Sequence, residues 1–191
     1  MPGSFSCSVV FARYSTALGW VLRRSKEALV RAKEDNGRNS LSVEIMRGSG
    51  RSSVWTTGWQ DHHNQRDCLS DFLQISSEAV DDKPVFSGNR FLHALERHLE
   101  MMMADGQRSN GLSTPLHYPG SNLAFARDTL ALALRNLSND HRKKIAEQDC
   151  ILLTLQNLLL PPKGNGRNHN SPSVAAFQIM SFLHKARKGA A

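Results

Sequence analysis

The sequence predicts an α+β chain: a strand–helix–strand–strand unit over residues 1 to 60, followed by an all-helical segment over residues 61 to 191. Three observations carry this. Apolar residues alternate with period two over Phe5 to Phe11 and Leu41 to Ile45, and Ser53 to Thr57 is rich in β-forming residues. An amphipathic run of helical period lies between the first and second of these. Beyond residue 60, apolar residues recur at helical spacing between polar, proline-bearing breaks.

The first strand is read from Phe5, Cys7, Val9 and Phe11, which alternate with Ser6, Ser8 and Val10. Thr16 is placed to cap a helix reaching about Lys33, with Leu18, Val21, Leu22, Leu29 and Ala32 on its apolar stripe. Arg23, Arg24, Lys26, Glu27 and Glu34 fall largely off that stripe. Asn36-Gly37 ends the helix, since glycine accepts the left-handed backbone of a C-terminal cap. Leu41, Val43 and Ile45 point to one face of a second strand, and Ser42, Glu44 and Met46 to the other. Gly48-Ser49-Gly50 turns the chain into a third strand over Ser53 to Thr57, giving a hairpin.

The remainder reads as helices and loops. Gln60 to Arg66 is a polar boundary, and Cys68 to Ile75 a short helix. Ser87 or Asn89 opens a helix carrying Phe91, Leu92, Leu95, Leu99 and Met102. Gly106 to Ser121 is a loop, with Leu123 to Leu137 and His141 to Leu160 helical on its far side. Pro161-Pro162 ends the latter, Lys163 to Asn170 forms a flexible connection, and Ser171-Pro172 starts a final helix. In that helix Ala175, Ile179, Phe182 and Leu183 face a core, ahead of a basic tail of Lys185, Arg187 and Lys188.

Composition narrows the chemistry. Apolar residues make up 40% and charged residues 21%, as in globular domains, and no apolar run nears the roughly 20 residues of a membrane span. A cytoplasmic chain without a membrane partner is therefore expected. The three cysteines, Cys7, Cys68 and Cys150, lie far apart with no Cys-x-x-Cys pair, which excludes a zinc ribbon and argues for reduced thiols. The net charge of +7 favours polyanionic partners such as nucleotides or RNA. His62, His63 and Cys68 are too few donors for a zinc site, and His93 and His98 lie on different helix faces. Met101-Met102-Met103, Trp55 and Trp59 are read as packing residues.

The most specific local feature is Ala32-Lys33-Glu34-Asp35-Asn36-Gly37-Arg38-Asn39. A lysine ending a helix and an arginine just past its glycine can meet on one phosphate, the first as a point charge and the second as a planar fork. A solvated helix end, where cations are favoured by the helix dipole, is the competing reading.

With Ala12-Arg13-Tyr14 after the first strand, Trp20-Val21-Leu22 in the helix, the Gly37-Arg38-Asn39 turn and a strand ending in Arg47 before Ser49-Gly50, residues 4 to 59 resemble a known domain. It is the second palm domain of the large subunit of type III CRISPR effector complexes, just downstream of its metal-binding hairpin. Residues 61 to 191 are similar to that family's carboxy-terminal helical domain in layout alone. The resemblance implies a partial ferredoxin-like palm and an ATP-using parent protein that makes cyclic oligoadenylates on capturing target RNA. It also implies Mg or Mn with ATP in that parent, held largely by a Gly-Gly-Asp-Asp hairpin, and none bound by this chain alone. Partners implied are ATP, guide RNA and target RNA through the complex, and other effector subunits including small helical ones. By this resemblance Lys33 and Arg38 touch the nucleotide phosphates.

Two departures matter. Lys33 and Arg38 stand one residue further apart than in the usual Ala-Lys-x-x-Gly-Arg spacing. No Gly-Gly-Asp-Asp occurs: Asp81-Asp82 lacks the glycines and falls after the hairpin, and Asp61-His62-His63 reverses the order of an HD nuclease pair. No catalytic residue is therefore assigned, and the chain alone is expected to be inactive. A degenerate diguanylate-cyclase-type nucleotide-binding module and a non-catalytic RNA-associated helical scaffold are the alternatives.

Overall fold

A computed structural model of the chain describes residues 4–47, 52–61, 66–77, 79–80, 83–84, 86, 88–109, 122–135, 137, 149–164 and 172–189. Its sheet has the order β1–β2–β3, with β1 (Cys7–Phe11) parallel to β2 (Ser40–Met46) and β2 antiparallel to β3 (Ser52–Gly58). Register runs from Cys7 opposite Leu41 to Phe11 opposite Ile45, and from Ser40 opposite Gly58 to Met46 opposite Ser52. Parallel neighbours cannot be joined by a tight turn, and α1 (Leu18–Val30) supplies the crossover. The fold is α+β, as the sequence predicts.

The central strand β2 is buried on both faces. Leu41, Val43 and Ile45 join Trp55, which lies opposite Val43, on the face turned to the helices. There Trp55 stacks on Phe72 with ring centroids 5.0 Å apart, and Phe91 meets Phe86 and Phe177 edge-on at 5.6 Å each. One core therefore runs without interruption from the sheet into the helices. The packing role read for Trp55 is what the structure has. Trp59 is partly buried against the same core and stacks on Phe5, while its indole N–H donates to the Phe5 carbonyl at 2.8 Å.

The opposite face of the sheet is polar, and it decides how α1 sits. Ser42 and Thr56 share a hydrogen bond of 3.1 Å, Ser8 donates to the Ser25 carbonyl, and Ser40 donates to the Ala32 carbonyl. Glu44 is fully buried there, with one carboxylate oxygen bound by Arg24 and the other by Arg31. This corrects the predicted stripe at Leu18 and Leu22, while Ala32 is buried as expected. Leu18 and Leu22 are 71% and 55% exposed, while Ala28 and Ala32 bring the helix close to the strands and Arg24 and Arg31 point inward. A sheet face of serine, threonine and glutamate offers nothing to leucines, whereas a buried carboxylate demands cationic partners. The network extends outward: Arg24 also donates to Glu27 at 2.8 Å, Arg23 reaches Glu27 at 3.0 Å, and the Arg23 guanidinium lies over Trp20. The hydrogen bond to Glu44 raises the Arg24 pKa, and that from Arg23 holds the Glu27 carboxyl below its ordinary value. Thr16 does not cap the helix; the capping position is Ala17, which makes no side-chain bond.

Among the described residues the helical layer comprises α2 (Cys68–Ser77), α3 (Asn89–Ser109), α4 (Asn122–Leu134), α5 (Asp149–Leu159) and α6 (Ala175–Gly189). Asp67 starts α2 by accepting the Leu69 and Ser70 amides at 2.9 and 3.2 Å. The helix α3 continues three residues past the predicted break at Gly106. The last helix begins at Ala175 rather than at Pro172, because Ser173 takes the Ala175 amide. Short ribbons pair Gln60–Asp61 with Arg66–Asp67 and Ala79–Val80 with Lys83–Pro84. His62, His63, Asp81, Asp82, Ser171 and the 48–50 turn lie outside the described residues, as do the side chains of Met101 to Met103. Among the described residues no helix is long and apolar enough to cross a membrane.

If the Glu44 pairing seats α1, a double-mutant cycle with Arg31→Ala and Glu44→Ala in urea melts returns a coupling of ~1–3 kcal/mol. Arg31→Ala alone is the costlier single change, since it leaves a buried carboxylate short of a partner. A coupling near zero contradicts the assignment.

Candidate phosphate-binding turn

The chain leaves α1 through a π turn, Arg31–Asp35, closed by the Asn36 amide on the Arg31 carbonyl at 3.0 Å. A π turn accommodates one residue more than the α-helix it interrupts. The wider turn buries Ala32 and Asn36 and leaves Lys33, Glu34 and Asp35 exposed.

Three consecutive left-handed residues come next: Gly37 at φ 79°, Arg38 at 64° and Asn39 at 49°. Glycine adopts this backbone freely and asparagine tolerates it, but Arg38 does so at a cost of roughly 1–2 kcal/mol. Tertiary contacts hold the turn. The segment Pro162–Gly164 lies across it, with the Gly164 amide donating to the Asn36 carbonyl at 2.7 Å and the Gly58 amide to the Pro162 carbonyl at 2.6 Å. The Trp59 amide donates to the Asn39 carbonyl at 3.3 Å. Gly164 is required by proximity, because a Cβ there would stand 1.4 Å from the Arg38 carbonyl oxygen.

Lys33, within the π turn, and Arg38, in the left-handed run after it, precede the amino end of β2, both exposed and neither bonded to a described side chain. Lys163, partly exposed on the crossing segment, is a third cation at this end. Sequence reasoning places Lys163 in a flexible connection and misses it. The signal is Gly164 directly after Pro161-Pro162-Lys163, a glycine where two backbones approach closely. Asn36, at φ −96° and ψ 0°, hands the chain to left-handed Gly37 with its own N–H already donated to the Arg31 carbonyl. Lys33, Arg38 and Lys163 make this end of the sheet a candidate site for an anion. Glu34 and Asp35 stand on the same turn and reduce its net positive charge.

The resemblance implies a divalent ion held largely by a Gly-Gly-Asp-Asp hairpin. The acidic hairpin is absent from the sequence, and among the described residues no three His, Cys, Asp or Glu side chains lie together. Cys68 is buried at the start of α2. No step is assigned to a metal.

Gly164→Ala is expected to lower stability by about 2 kcal/mol or more, read as a drop in melting temperature, because its methyl group would overlap the Arg38 carbonyl. Gly37→Ala is expected to cost about 1 kcal/mol, through its backbone alone.

No family model, curated protein or solved structure matches the chain.

Proposed function

We propose that residues 1 to 60 form the closing part of a nucleotide-binding palm, and that the chain is the carboxy-terminal segment of a type III CRISPR large effector subunit acting in antiviral defence. In this reading the turn of Lys33 and Arg38 touches the phosphates of ATP. The helical segment faces small helical subunits and the guide–target RNA duplex, and the protein is cytoplasmic. Polymerisation belongs to the parent protein, whose acidic hairpin with Mg or Mn would lie upstream of these strands.

The observation that supports this reading best is the π turn Arg31–Asp35. Lys33 stands in that turn and Arg38 three residues past its end, both exposed. The order strand, helix, strand, strand is that of the palm portion resembled.

Two measurements test it. The coding sequence ahead of Met1 is expected to carry an in-frame Gly-Gly-Asp-Asp; an unrelated sequence there removes the CRISPR assignment. In the complete protein, Lys33→Ala and Arg38→Ala are each expected to weaken ATP binding by roughly tenfold, the scale of one lost charge-assisted hydrogen bond. Unchanged affinity in calorimetric titration rules out the phosphate role.

A further inference from the structure

A second basic site lies at the opposite end of the sheet. The carboxyl end of β2, the start of α3 and one side of α6 enclose an open cleft of about 390 Å³. This is within the range of about 300–1,000 Å³ typical of small-ligand pockets. With about 3.3 Å per residue along the seven residues of β2, roughly 20 Å separates it from the Lys33–Arg38 turn.

The floor of the cleft is a fixed chain of hydrogen bonds. Arg47 donates to Ser53 at 3.1 Å, Ser53 to the Gln178 side-chain carbonyl at 2.6 Å, and the Gln178 amide to Glu96 at 2.7 Å. The other oxygen of Glu96 stands 3.7 Å from His93 Nδ1. The polar groups of Gln178 and Glu96 are thus occupied within the protein. Arg47 and Lys185 differ: both line the cleft, both are exposed, and neither meets a carboxylate among the described residues. Leu92 and the half-exposed Phe182 ring supply an apolar wall, and Phe182 is braced from behind by Phe11 with centroids 6.0 Å apart.

Two exposed cations of different shape that meet no carboxylate among the described residues, beside a braced aromatic ring, suit a ligand that is anionic at one end and flat and apolar at the other. We propose that this cleft binds a nucleoside phosphate unit, its phosphate between Arg47 and Lys185 and its base against Phe182 and Leu92. The unit is either a free mononucleotide or one residue of an RNA strand. The site is independent of the Lys33–Arg38 turn and holds whether or not that turn binds ATP.

The test is calorimetric titration of the full chain with AMP, adenosine, inorganic phosphate and a short oligoadenylate. AMP is expected to bind saturably and more tightly than either adenosine or phosphate. Arg47→Ala and Lys185→Ala are each expected to weaken it roughly tenfold. Phe182→Leu should weaken AMP but not phosphate. Melting temperatures of the variants identify any that fail to fold, and Arg47→Lys, which keeps the charge but not the fork, then stands in for Arg47→Ala with a smaller loss. An oligoadenylate tighter than AMP marks the strand as the source, and the reverse marks the free nucleotide; both uphold the site. Absence of saturable AMP or oligoadenylate binding overturns it. So does binding that ignores Arg47 and Lys185, or phosphate binding as tight as AMP.

Discussion

The fold turns on a buried carboxylate. Glu44 sits in the middle of the central strand, without contact with water, and its two oxygens are taken by Arg24 in the crossover helix and Arg31 just past its end. A lone charge so placed would cost several kcal/mol, so the helix must lie where both guanidinium groups reach it. Alanines 28 and 32 let the backbone come close enough. The price of this seating is an outer helix face on which Leu18, Leu22 and Val30 stand in solvent.

The next stretch of chain inherits that position. Arg31 is both a ligand of Glu44 and the first residue of the π turn, so the clamp fixes where the turn begins. The left-handed residues after it then carry the chain into β2, and the Pro162–Gly164 segment holds the Asn36 carbonyl from the far side. Strain at Arg38 persists because both of its neighbours in space are fixed. At the other end of the same strand, Ser53 and Gln178 join the sheet to the last helix. The two basic ends of β2 are thus built by different means, one from backbone shape and one from side-chain hydrogen bonds.

Much of this fold is legible in the sequence, because it rests on period and on glycine. Alternation in 7–11 and 41–46 and β-forming residues in 53–57 mark the strands, and Asn36-Gly37 marks the helix end within the turn that forms. The inner face of α1 is not legible. A helix read alone is oriented by its leucines, and only the partner surface, with Ser40, Ser42 and Glu44 on it, reverses that choice. The spacing from Lys33 to Arg38 is visible as an added residue, but a π turn and a longer loop read alike in sequence. Lys163, Arg47 and Lys185 are hidden for a related reason: their places depend on segments more than a hundred residues apart coming together. Position in space, not residue type, distinguishes them from solvated cations.

The central claim is that the Lys33–Arg38 turn is held rigidly, by the arginine clamp on one side and the 162–164 segment on the other. Native-state hydrogen exchange at the Asn36 and Gly164 amides tests it most directly, since each closes one side. The account predicts that both exchange only through the unfolding that frees the core of β2, at rates matching amides of Val43 and Ile45. Exchange at the rate of an open loop, while the β2 amides stay protected, would contradict it.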